Sequence, residues 1–159
     1  MYDQDFIPRK STTASIVIQG VKKGENPDMV ILWTILGYPP VGVAIPMWVK
    51  AGEKQPGILL RNDASNHALL CDYALALKHR IFSIERGNGP KYMNFTLINN
   101  SSGTGYMQQL AKVEKKVFLS CQKMIEQWRK NGINIQQLAK LNAEIETIVI
   151  EAYKTAVAE

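Results

Sequence analysis

The hydrophobic positions of this chain fall into two regimes. Up to about residue 65 they come in short, dense runs between turn residues; beyond it they recur at helical steps. STTASIVIQG (11–20) is rich in β-branched residues and reads as a strand. VKKGENPD (21–28) holds Gly24, Asn26, Pro27 and Asp28, a turn cluster. MVILWTILG (29–37) follows as a second strand, and the pair predicts an antiparallel hairpin. Tyr38-Pro39-Pro40 breaks the chain, because two prolines cannot sit in a central ladder. VAIPMWVK (43–50) predicts a third strand, whose Pro46 argues for an edge, a bulge or a bend. AGEKQPG (51–57) reads as loop and ILLR (58–61) as a short extension; Pro8 keeps Ile7 extended.

The helical regime opens with Ser65 or Asn66 as a side-chain cap. Leu69, Leu70, Tyr73, Leu77 and Ile81 then recur every three or four residues, and RGNGP (86–90) ends that segment. KYMNFTLI (91–98) reads as a short strand or an extended stretch, and NNSSGTG (99–105) as a polar loop. Tyr106 to Lys130 forms an amphipathic helix with Leu110, Val113, Val117, Cys121, Met124 and Trp128 on one stripe, stopped by Asn131-Gly132. A last helix runs from about Ile135 to Val157, carrying Leu138, Leu141, Ile145, Ile148, Ala152 and Ala156, so the chain ends in a long αα-hairpin. The fold class is α+β, one domain, mainly β over 1–65 and mainly α over 66–159.

The strands are greasier than a half-wet sheet allows. Met29, Ile31, Trp33 and Ile35 share one face of the second strand, with Val30, Leu32, Leu36 and Thr34 on the other. The third sets Val43, Ile45, Met47 and Val49 against Ala44, Pro46 and Trp48. Runs of this kind mean burial on both faces. The helices of this chain cover one face, and three strands cannot also build a second sheet for the other. Each large side chain left wet forgoes roughly 1.5–3 kcal/mol. A layer is therefore expected from elsewhere, either a second copy or a missing N-terminal half of the same protein.

Length and charge narrow the picture. A chain of 159 residues, 46% hydrophobic, can bury a core without metal or disulfide help, and two cysteines, Cys71 and Cys121, are too few for a disulfide scaffold. The net charge of +5 is dispersed: seven basic and six acidic groups over 1–65, four and two over 66–105, eight and six over 106–159. Nucleic-acid binders concentrate basic charge on one stripe, so no nucleic-acid partner is expected. Lys112, Lys115 and Lys116 enclose Glu114 and read as a solvated helix face. No run of about 18 apolar residues spans a bilayer, so no membrane partner is expected. The opening MYDQDFIPRK has acidic residues where an export signal needs a basic region.

RKSTTASIVIQGVKKGENPDMVILWTILGYPP (9–40) resembles the C-terminal half of N-terminal-nucleophile hydrolases, in particular the penicillin acyltransferase-like, linear amide hydrolase group. There a Thr/Ser-rich strand leads through a turn into a strand ending in Gly-x-Pro; here these are Thr12 to Ile18, Met29 to Leu36, and Gly37-Tyr38-Pro39. ERGNGPKY (85–92) and the helical tail resemble the same group. The resemblance implies an exported protein, an αββα sandwich that supplies the missing layer, and a small-molecule amide substrate. It also implies a cysteine, first in the mature chain, whose own α-amino group is the general base. The chain opens Met1-Tyr2, so no nucleophile is carried over to any position and no residue here is expected to be catalytic.

Among local candidates, Arg9, Ser11 and Thr12 at the start of the first strand are the expected substrate-side residues, with Arg9 able to hold a carboxylate through a bidentate pair. Cleavage after Lys10 would expose Ser11, but β-propensity at a strand start accounts for Ser11, Thr12 and Thr13. His67 and Cys71 have i, i+4 spacing, yet no third group orients them, and Cys71 reads as a buried structural thiol. Cys121 belongs to the core, and His79, between Lys78 and Arg80, to the surface. NNSSGTG lacks the Gly-Lys-Ser/Thr ending of a phosphate loop. No His, Cys or carboxylate cluster has metal-ligand spacing, and no cofactor or metal is expected. An alternative function for the whole chain is a non-catalytic interaction or dimerisation module.

Overall fold

A computed structural model describes residues 8–85, 87 and 90–158. Three strands, β1 (Ala14–Gln19), β2 (Ile31–Leu36) and β3 (Ile45–Trp48), form an antiparallel sheet in the order β1-β2-β3. Helix α1 (Leu69–Ile81) follows. A two-stranded ribbon comes next, β4 (Ile84–Glu85) with β5 (Pro90–Tyr92), and then the short helix α2 (Phe95–Ile98). The long helices α3 (Tyr106–Asn131) and α4 (Ile135–Ala158) end the chain as a hairpin.

The predicted hairpin forms with Val17 opposite Trp33 and Ser15 opposite Ile35. Pro46 sits on an edge strand, where its missing N–H leaves no ladder bond unmade. Gly37, just past β2, has φ +82, and a Cβ there would lie 2.5 Å from Cβ of Ala74 on α1. This glycine lets the turn press directly on the helix.

Packing closes the core from the helical side. Trp48 meets Trp128 of α3 edge-on at 5.5 Å. Tyr153 of α4 stacks on Tyr73 of α1 and donates its hydroxyl proton to the Val41 carbonyl at 2.8 Å. Arg80 of α1 donates to the carbonyls of Ala156 and Val157, closing the end of α4. Gly132 takes φ +78 and its N–H reaches Trp128 C=O, stopping α3 where Asn131-Gly132 predicts.

Several local expectations need correction. ILLR forms a 3-10 turn over Gly57–Leu59 rather than a strand, and Arg61 makes only an isolated bridge to Ala68. The residue at the cap of α1 is Ala68, without a side-chain cap. Asn66 instead takes φ +62, which asparagine tolerates, and Ser65 Oγ accepts the His67 N–H, so both are spent on the turn before the helix. FTLI, read as extended, is the short helix α2. In α3, Ile125 is buried while Met124 is only partly so. In α4, Val149 and Tyr153 take the buried places predicted for Ile148 and Ala152. A stripe stepped by threes and fours drifts against a helix of 3.6 residues per turn. Of the RGNGP stop, Arg86, Asn88 and Gly89 lie outside the described residues, as does Ile7.

The expectation of one wholly bare sheet face is also corrected. Register puts Ile31, Trp33, Pro46 and Trp48 on one face and Thr34 and Ile45 on the other, and all six are buried by the chain itself. Leu32, Leu36 and Met47 are half-buried. Among the described residues the longest run of exposed apolar side chains is on β1, where Ile16, Val17 and Ile18 are 56%, 63% and 68% exposed. Because consecutive strand residues point to opposite faces, β1 is bare on both.

Candidate functional site

The exposed strand and the helix beside it form the most distinctive surface of the molecule. β1 is the edge of its sheet, and among the described residues no strand pairs with its outer side. A row of backbone donors and acceptors therefore flanks three exposed β-branched side chains. On the face toward α3, Val17, Trp33, Ile35 and Phe118 line a groove of about 590 Å³, with Ser15, Gln19 and Glu114 as its polar residues.

The groove walls are held by specific contacts. Trp33 packs edge-on against Phe118 with ring centroids 4.6 Å apart, and its indole N–H donates to Gln19 Oε1 at 2.9 Å. Glu114 reaches from α3 to the sheet, where its Oε1 accepts the Ala44 N–H at 2.9 Å. This bond satisfies a main-chain donor just before β3 and sets the distance between helix and strand. Phe118 remains 40% exposed and lines the groove with Val17, so the apolar surface continues from β1 onto α3. In the sequence, Phe118 and Leu119 lie off the buried stripe of that helix. Apolar residues outside a stripe were the available signal for this surface.

Arg9, Ser11 and Thr12 lie in the turn that feeds β1. The Thr12 N–H donates to Arg9 C=O at 2.9 Å. Arg9 and Ser11 are exposed and Thr12 is half-buried. None of the three lines the groove, whose nearest contribution from that end is Ser15.

The other candidates are placed apart from it. His67 Nδ1 is 3.3 Å from Asp72 Oδ1, an exposed pair, rather than joined to Cys71. Cys71, expected to be buried, is half-buried. Partial burial, and then the Asp72 charge, push its thiol up, against the smaller pull of Lys78. A raised thiol is a poor nucleophile at neutral pH. Cys121 is buried in α3, and desolvation pushes its thiol up to about 12. His79 is exposed, as are Lys112, Lys115 and Lys116.

In NNSSGTG several main-chain donors are already engaged within the loop itself. Gln108 Oε1 accepts the N–H groups of Asn100 and Gly105, and Asn100 Oδ1 accepts that of Thr104. No group of three or more His, Cys, Asp or Glu side chains suited to a metal ion occurs among the described residues, and no described helix is long and apolar enough to cross a membrane. The chain matches no protein-family model, no curated protein and no solved structure.

Proposed function

We propose that this chain is the C-terminal portion of an N-terminal-nucleophile amide hydrolase or acyltransferase, in which its sheet belongs to an αββα sandwich. The observation that carries the reading is β1, an edge strand apolar on both faces that begins the stretch resembling that group. A strand of this kind is an aggregation hazard in a finished surface and ordinary in the interior of a larger sheet. The nucleophile belongs to an upstream segment. Its thiolate attacks the amide carbonyl while its own α-amino group takes the thiol proton and passes it to the leaving amine; water then hydrolyses the thioester. Arg9, Ser11 and Thr12 stand at the substrate side, Arg9 toward a carboxylate.

The test is to express residues 1–159 joined to the coding region that precedes them and to assay a panel of linear N-acyl amides. The expected result is hydrolysis that disappears when the first cysteine of the processed chain is replaced by serine. In that protein Arg9→Met raises KM for carboxylate-bearing amides with kcat little changed. Absence of a processed cysteine upstream, or activity indifferent to it, overturns the reading. It would leave the non-catalytic interaction module, which the apolar surface from β1 to Phe118 also fits.

A further inference from the structure

We infer that Asn131 is a site of self-modification, where the chain converts its own asparagine to aspartate or isoaspartate at a rate set by the turn between α3 and α4. Asn131-Gly132 is one of two Asn-Gly pairs in the sequence; the other, Asn88-Gly89, lies outside the described residues. A glycine after asparagine has no side chain to shield its backbone nitrogen. That nitrogen, once it has lost its proton to base, attacks Asn131 Cγ. The bond from Cγ to the side-chain nitrogen breaks, and ammonia leaves after taking up a proton. Water then opens the resulting five-membered imide at either carbonyl. The step needs water alone, and Asn131 is exposed to it.

The folded turn opposes this step in two ways. Asn131 is the last residue of α3, and a helical ψ does not set Cγ against the following nitrogen. The nitrogen itself is engaged, since the Gly132 N–H donates to Trp128 C=O at 2.8 Å. Trp128 is well anchored. It is buried, its ring meets Trp48, and its indole N–H donates to Gln137 Oε1 at 3.0 Å. On the far side Asn134 Oδ1 accepts the N–H groups of Gln136 and Gln137, and Ile133 packs against the core. Gly132, Ile133 and Asn134 are thus fastened at both ends, and the reaction waits for the turn to open. The product puts a carboxylate at the negative end of the α3 dipole. Isoaspartate also adds a carbon to the main chain beside Gly132, whose φ is +78. Conversion therefore loosens the hairpin irreversibly and records how long the turn has stood open. The inference does not depend on the hydrolase reading.

The test incubates the full 159-residue chain at mildly alkaline pH, folded and in urea, and reads aspartate and isoaspartate at position 131 by peptide mapping, separately from Asn88. The expected result is conversion in urea and conversion at least about tenfold slower in the folded chain, the retardation matching the hydrogen-exchange protection of the Gly132 amide. Asn134→Ala, which removes the cap of α4, should speed the folded reaction about fivefold and leave the rate in urea unchanged. Gln137→Ala, which frees the Trp128 indole, acts in the same direction, and Asn131→Gln abolishes conversion there. Equal rates in the two states, retardation unrelated to Gly132 protection, or folded rates indifferent to both alanine variants overturn the inference.

Discussion

Cys121 shows how one buried atom ties the helical layer to solution conditions. Its thiol is neutral in the core and held up to about 12, whereas in the unfolded chain it ionises near 9. Between those values the unfolded state has released a proton that the native state keeps, so stability falls as pH rises and the contribution is intact below pH 9. Tyr153, raised by burial, acts in the same direction above pH 10, while Lys78, lowered by burial and by Lys10, opposes it. Denaturant unfolding at stepped pH should therefore show stability dropping between about pH 9 and 12. Cys121→Ala should lower the whole curve through lost packing and flatten its slope over that window. An unchanged slope would mean that the thiol ionises within the fold. The identity of Cys121 as core was legible from its place on an apolar stripe; that Cys71 is only half-buried was not, because its surroundings come from other elements.

At the scale of elements, Gln108 ties the entry of α3 to the loop before it. Gln108 accepts from Asn100 and Gly105 and donates through Nε2 to Asn100 C=O, so loop 99–105 and the first turn of the helix are a single hydrogen-bonded unit. The sequence shows a polar, glycine-bearing loop before a helix, a texture shared by anion cradles and self-capped turns. Only the tertiary arrangement distinguishes the two, by showing where the N–H groups point. Gln108→Ala should cost about 1–2 kcal/mol in chemical denaturation and speed exchange of the Asn100 and Gly105 amides. A neutral substitution would show that solvent replaces those bonds at no cost. The same limit explains α1, where Asn66 and Ser65 have the chemistry of caps but the chain uses them one turn earlier.

For the molecule as a whole, the distribution of apolar surface is the governing fact. Its own helices and loops bury most of β2 and β3, and the longest exposed apolar run lies along β1, beside Phe118. Replacing Ile16 and Ile18 together by threonine should leave the unfolding free energy of the isolated chain within about 0.5 kcal/mol, because neither side chain is in the core. Solubility should rise and binding of a hydrophobic dye fall. A loss of several kcal/mol would mean that these side chains are buried in solution. The chain's local chemistry determined the α+β class, the antiparallel hairpin and the closing helical pair, and it limited the proline strand to an edge, a bulge or a bend. β-branching, turn residues and a 3.6-residue period act within a few positions of one another. Where the surplus hydrophobicity ends up was decided only in three dimensions. A greasy strand reads the same whether its cover comes from a distant segment of the chain, as for Ile45, or is absent, as for Ile18, and long-range packing alone separates the two.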